Sequence, residues 1–227
     1  MTILGIETST SVCSVGLANE FDVVAERSIV ETHVHSEKLL TLIQELCDEQ
    51  KVRLSQLDGI AVSIGPGSFT GLRIGLSTAK GLCFALEKPL IAVTTFLSIA
   101  KSVTRAHPEC PHIVVCIDAK QREYYIGGYE NINRAVREIR TVHIGSLSSV
   151  FAASSTKTLI VTDSTSEVKA GSSNSLLIED VVSYCRGDVI AHSATSMMNS
   201  GIINLWEQLE PMYLKDFVVR TQMKLEK

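Results

Sequence analysis

Residues 58 to 82 read DGIAVSIGPGSFTGLRIGLSTAKGL, and the centre of that stretch, Gly65 to Gly71, decides how the chain is organised. An apolar run from Ile60 to Ile64 ends in glycines and leads into a helical pattern from about Thr70 to Leu86. Strand, glycine turn and helix in that order hold phosphates or a nucleophile in many enzymes. Three such motifs fail here by identifiable residues. Gly65, Gly67 and Gly71 space out as G-x-G-x-x-x-G, one residue longer than the dinucleotide fingerprint. Leu72-Arg73 stands where a phosphate loop requires Lys followed by Ser or Thr. Pro66 and Thr70 flank Ser68 where a nucleophile elbow requires glycines.

The reading left is structural. Gly65 and Gly67 permit a tight turn that Pro66 stiffens, and Ser68 or Thr70 can cap the helix that follows. Within that helix Gly71, Gly75, Ala79 and Cys83 recur every four residues, a smooth stripe beside Leu72, Leu76 and Leu86. Each interior glycine costs about 0.8–1 kcal/mol of helix stability relative to alanine, and close approach by another element is a reason to retain it.

Outward from this segment the pattern is regular. Ile3 to Ile6, Val12 to Leu17 and Phe21 to Ile29 read as a β-meander, followed by a helix from Ser36 on which Leu39, Leu42, Ile43 and Leu46 keep helical spacing. The strand at 60–64, the helix and a strand at Leu90 to Val93 make a crossover, which implies parallel pairing. A second meander follows at His112 to Ile117, Tyr124 to Tyr129 and Val136 to Ile144. Beyond it are predicted a helix near Ser146 to Ala153, a strand at Thr158 to Thr162 and a helix from about Ser193 to Leu205. An offset of 111 residues superposes Ile6-Glu7 on Ile117-Asp118 and Val15-Gly16 on Ile126-Gly127. This is a weak internal repeat, two copies of one unit.

Composition excludes several classes. The 227 residues are 45% hydrophobic and 20% charged, and no apolar run reaches the roughly 18 to 20 residues a membrane helix needs. The first residues carry no basic stretch of a signal peptide, so a cytoplasmic protein is expected. Net charge is −4 with no basic stripe, which argues against a chain that grips RNA alone. The six cysteines include no C-x-x-C pair and read as buried apolar residues. His33-Val34-His35 could open a metal site, but Leu39 holds the position four residues after His35. Glu7 and Asp118 end equivalent strands, a place that holds magnesium in phosphotransferases or merely caps a turn.

Five stretches together resemble the TsaB family, also called YeaZ: ILGIETSTSVCSVGL at 3–17, HSEKLLTLI at 35–43, DGIAVSIGPGSFTGLRIGLSTAKGL at 58–82, IDAKQREYYIGGY at 117–129 and PMYLKD at 211–216. The resemblance runs through residues 1–129 in order and returns near the C-terminus, while 145–205 adds little. It implies an α/β actin-like ATPase (ASKHA) fold of two RNase H-like lobes with mixed sheets flanked by helices. The lobes are expected at 1–105 and 106–227, with the C-terminal end packing back on the first.

The resemblance further implies a non-catalytic scaffold and activator for threonylcarbamoyl transfer to the adenosine beside the anticodon, in tRNAs reading codons that start with A. The implied partners are TsaD, which holds the metal, and TsaE, with TsaC or its relative making the adenylate. Contact with tRNA comes only through the complex, and a homodimer forms when TsaD is absent. His35 followed by Leu39 departs from the paired histidines of TsaD-like sequences, so no metal site and no cofactor of its own are expected. The partner interface carried over from the family is His35, Leu39, Ile43 and Leu46 on the first helix, with Leu72, Gly75, Leu76, Ala79 and Cys83 on the second. This face is expected to be exposed in the monomer, where Leu76→Asp or Ala79→Arg would break the heteromer. Glu7, Thr8, Ser9 and Asp118 mark a vestigial nucleotide cleft between the lobes. The residues alone also admit a glycopeptidase-like hydrolase or a phosphotransferase working in that cleft.

Overall fold

The computed structural model describes residues 1–31, 33–152, 157–171 and 177–215. The first sheet contains β1 (Thr2–Glu7), β2 (Val12–Asn19), β3 (Val23–Val30), β4 (Gly59–Ser63) and β5 (Leu90–Val93) in the order β3-β2-β1-β4-β5. The meander β1–β3 is antiparallel, and β4 and β5 add in parallel through the crossovers. The second sheet, β6 (His112–Asp118), β7 (Tyr124–Ile132), β8 (Ala135–Gly145), β9 (Thr158–Thr162) and β10 (Leu177–Asp180), has the order β10-β9-β6-β7-β8. Read from β8, that is the same order as the first sheet. The chain therefore repeats one mixed five-stranded unit, as an actin-like two-lobe α/β fold requires.

Alternation along β1 explains its two buried faces. Leu4 and Ile6 pack with α1 (His35–Gln50) and α2 (Phe69–Leu86), while Ile3 packs under α6 (Gly187–Asn199). On α1, Leu39, Leu42, Ile43, Leu46 and Cys47 are the buried positions, the stripe an amphipathic helix turns to a sheet.

The terminal helices of the two units are exchanged. α3 (Thr95–Ala106) ends the first unit, yet Phe96, Ile99, Ala100 and Val103 pack with Ile113, Val115 and Ile117 of the second sheet. In return α6 lays Ile190, Ala191 and Ala194 on Ile3, Ala61, Ile91 and Val93 of the first sheet. Division at 105/106 therefore places both helices in the wrong lobe, because each buries its apolar face across the boundary. Matching glycines make room for the exchange. A Cβ on Gly16 would stand 2.2 Å from the Asp188 nitrogen of α6, and one on Gly127 would stand 2.9 Å from the Phe96 ring of α3. The Val15-Gly16 and Ile126-Gly127 repeat in the sequence thus has a packing cause.

Two helix assignments shift. α3 adds a helix where none is expected, and Phe96, Ile99, Ala100 and Val103 carry its helical period. The helix expected over 193–205 starts at Gly187 and stops at Asn199. Gly201, at φ +75, and Ile202 donate to the Met198 and Met197 carbonyls and turn the chain away. The short helix α4 (Leu147–Ala152) matches expectation up to Ala152; Ala153 lies outside the described residues. α5 (Thr165–Gly171) and β10 are further elements of the second unit beyond those expected.

After α6 the chain runs as a strap. Asn204 donates its backbone nitrogen to Leu90 and accepts from Ala92, which covers the open edge of β5. Trp206 and Leu209 pack on the first core, the Met212 nitrogen donates to the Ile64 carbonyl, and Lys215 reaches the second lobe.

Candidate functional site

The head of the first lobe is built from the glycine segment and the turn after β1. Gly65 has φ +110, precedes a cis Gly65-Pro66 bond and accepts from Thr95 N, so only glycine fits its conformation without strain. Ser68 is the cap of α2: its Oγ accepts from Gly71 N at 3.2 Å. Thr70, the other candidate, sits inside the helix with its side chain outward.

The smooth stripe on α2 is already occupied by its own chain. A Cβ on Gly71 would stand 2.0 Å from the Thr8 carbonyl oxygen, and one on Gly75 would stand 2.2 Å from Thr8 Oγ1. Thr8 donates to the Gly71 carbonyl at 2.8 Å, and Ser68 N donates to the Ser9 carbonyl at 2.7 Å. The glycines therefore admit the turn Glu7–Thr10, which corrects the expectation that they serve a partner helix. Leu39, Ile43, Leu46, Leu72, Gly75, Leu76, Ala79 and Cys83 are all buried in the monomer. His35 is buried as well, and its Nε2 donates to the Val12 carbonyl at 3.1 Å. The carried-over face is thus core rather than surface: the sequence cannot separate apolar residues that meet a sheet from those that would meet a partner. On the outward side of the same helices Leu40 is 60% and Phe84 72% exposed, and a Cβ on Gly81 would meet nothing within 4 Å.

Glu7, Thr8 and Ser9 are fully buried, so the first half of the expected nucleotide cleft offers no accessible side chain. Glu7 Oε1 accepts from Ser9 N at 2.6 Å and from Ser9 Oγ at 2.5 Å, while Oε2 has no partner among the described residues. Burial pushes the Glu7 carboxyl above its usual range, and the Ser9 hydrogen bonds only partly offset this. Ser63 also favours the ionised form, although its hydroxyl falls short of hydrogen-bond geometry.

The equivalent turn of the second lobe behaves in the opposite way. Asp118 accepts from Lys120 N at 2.7 Å and from Lys120 Nζ at 2.6 Å. Partial burial alone would raise its pKa, yet the Lys120 bonds and charge outweigh that and hold it low. Lys120, Gln121 and Arg122 all adopt positive φ, and Lys215 Nζ ties the turn by donating to the Ala119 and Lys120 carbonyls and Glu123.

All six cysteines are free and buried, and burial holds Cys13 at about 11 and Cys83 and Cys116 at about 12, far from thiolate chemistry. One metal-spaced group escaped the sequence reading: His107, Glu109 and Cys110 bring ligand atoms within 4.8 Å of one another. The His107 imidazole is engaged by the Tyr184 hydroxyl at 2.9 Å and by Glu179 at 3.2 Å, and burial raises the Cys110 thiol, so the group is a structural polar cluster at the end of α3. Among the described residues no helix is long and apolar enough to cross a membrane.

A family model described as TsaD: tRNA N6-adenosine threonylcarbamoyltransferase matches residues 24–164. The chain belongs to this family, on its TsaB/YeaZ branch. The tRNA threonylcarbamoyladenosine biosynthesis protein TsaB of Escherichia coli is 34% identical over 130 residues, which cover 57% of this chain and 55% of that protein. The Bacillus subtilis protein of the same name is 30% identical over 139 residues, 61% of this chain and 59% of that one. The chain thus spans little more than half the length of the curated relatives it matches. YeaZ from Pseudomonas aeruginosa superposes with a TM-score of 0.79 at 27% identity, covering 93% of this chain and all of that one.

Proposed function

We propose that the chain is a non-catalytic, partner-binding subunit for threonylcarbamoyl addition to the adenosine beside the anticodon of tRNAs reading codons that start with A. In this reading it pairs in the cytoplasm with a TsaD-type subunit that carries the chemistry, together with TsaE, and meets tRNA only through that complex. The observation that carries the non-catalytic part is the closed turn Glu7–Ser9. The position that would face a substrate in the first lobe is buried against the α2 glycines instead. The likeness to proteins named for threonylcarbamoyladenosine biosynthesis supplies the pathway.

The partner face is best placed on the outward side of α1 and α2. Leu40 and Phe84 expose apolar surface there, and Gly81 leaves the backbone of α2 open to close approach. Phe84 is held edge-on by Trp206 of the strap at 5.9 Å. When the TsaD-type subunit is absent, this face pairs with a second copy.

The test is reconstitution of tRNA modification with TsaC, TsaD and TsaE, with and without this chain. Modification should fall to background on omission, and unchanged modification would overturn the assignment. Leu40→Asp with Phe84→Asp should abolish co-elution with TsaD while the melting temperature stays within a few degrees, as for surface changes of about 0.5 kcal/mol. Leu76→Asp and Ala79→Arg cannot serve this purpose, because they place charge in the core.

A further inference from the structure

The seam where the exchanged helices meet holds a cavity of about 520 Å³ that no part of the proposed function uses. Its walls come from both lobes: α3, α6, the β2–β3 turn at Asp22 and the β7–β8 turn at Arg134. That volume lies within the range of small-ligand sites, about 300–1,000 Å³.

The charged part of the lining is predominantly basic. Lys101 and Arg105 stand one turn apart on α3, His192 faces them from α6, and Arg134 closes the second-lobe side. Asp22 is the only carboxylate among the described lining residues. Lys101 is partly buried, donates to Ser193 Oγ at 3.2 Å and has no carboxylate within 4 Å among the described residues. A sheltered ammonium is ordinarily matched by an anion from its own chain. Arg105 is only loosely engaged, 3.6 Å from an Asp188 that Arg186 holds at 3.0 Å. Thr104 lines the same cavity, is almost completely buried and has a hydroxyl oxygen with no hydrogen-bond partner among the described residues. Burial lowers Lys101, and burial together with Lys101 and Arg105 lowers His192 against the opposing pull of Asp22 and Asp188, as expected where cations crowd one cavity.

We propose that this interlobe cavity binds a small phosphorylated anion, its phosphates meeting Lys101, Arg105 and Arg134 and its body resting on Val136 and Val189. Such a ligand would bridge the two lobes at their seam, on elements separate from the partner face and from the Glu7 turn. The inference rests on neither the proposed partner nor the proposed pathway.

Calorimetric titration of the full chain with inorganic pyrophosphate and, separately, with ADP tests it. Saturable binding at one site, weakening as salt rises, is expected. Lys101→Gln and Arg134→Asn, the latter suited to the positive φ of that position, should each weaken it about ten-fold or more, with circular dichroism melts confirming the fold. Equal response to both probes assigns the pyrophosphate itself, and tighter ADP binding assigns a nucleotide. Absence of saturable binding to either probe, or binding that both variants leave unchanged, overturns the proposal.

Discussion

Glu7 and Asp118 occupy equivalent positions, each at the end of the first strand of its unit, and the fold drives them in opposite directions. Glu7 is sealed under α2, an 18-residue helix whose glycines let the turn sink onto its backbone, and its carboxyl is pushed up. The corresponding helix of the second lobe, α5, has seven residues, and the Asp118 turn stays at the surface with Lys120 and Lys215 around it. The same strand end can therefore carry opposite electrostatics, because the length and smoothness of the covering helix set its access to water.

The comparison breaks most severely at Gly71. Gly71→Val would drive its Cβ into the Thr8 carbonyl, a backbone atom that cannot rotate away. The expected cost is about 3 kcal/mol or more, read as a melting temperature lowered by ten degrees or as insoluble protein. The matching test in the second lobe is mild, since among the described residues no helix glycine packs against the Asp118 turn.

A smaller effect is expected at Glu7 itself. Its folded pKa lies above the unfolded value, so its contribution is fully present below about pH 4.5 and declines as pH rises toward the folded pKa. Glu7→Gln removes that decline while keeping an oxygen for Ser9. The variant should gain on the parent as pH rises. Melting curves followed upward from about pH 4.5, where the unfolded carboxyl titrates, check this. A constant offset between variant and parent would show that Glu7 does not titrate as described.

Asp118→Asn should have the smallest effect and the opposite sign with pH. Its folded pKa is lowered, so its contribution is present above the unfolded value and lost as pH falls through the folded one. Lys120 is largely exposed, and an exposed pair of this kind contributes well under about 1 kcal/mol. Melting curves on the acid side of pH 5 (about one unit above the unfolded carboxylate) should lose their slope in the variant.

Much of the architecture was legible because hydrophobic period survives in a single chain. Both meanders, α1, α2 and the first crossover follow from spacing alone, and the Glu7/Asp118 offset pointed to duplication before any pairing was known. α3 was equally legible in Phe96, Ile99, Ala100 and Val103, yet its destination was not, since a helical stripe does not name the sheet it covers. The same ambiguity put buried residues on the face expected to be exposed. Leu39, Ile43, Leu72 and Leu76 have the chemistry of an interface and the location of a core.

By itself, then, the sequence determined the duplicated unit, the Ser68 cap region, the tight turn at Gly65 and the failure of every phosphate or nucleophile motif around GPGSFTG. Those are local properties, set by residue type and spacing. Only the tertiary structure decided that α3 and α6 change lobes, that the α2 glycines receive Thr8, and that Lys101, Arg105 and Arg134 converge on one cavity. Each joins residues far apart in the chain, and such contacts are selected by which surfaces fit together after burial, which periodicity does not encode.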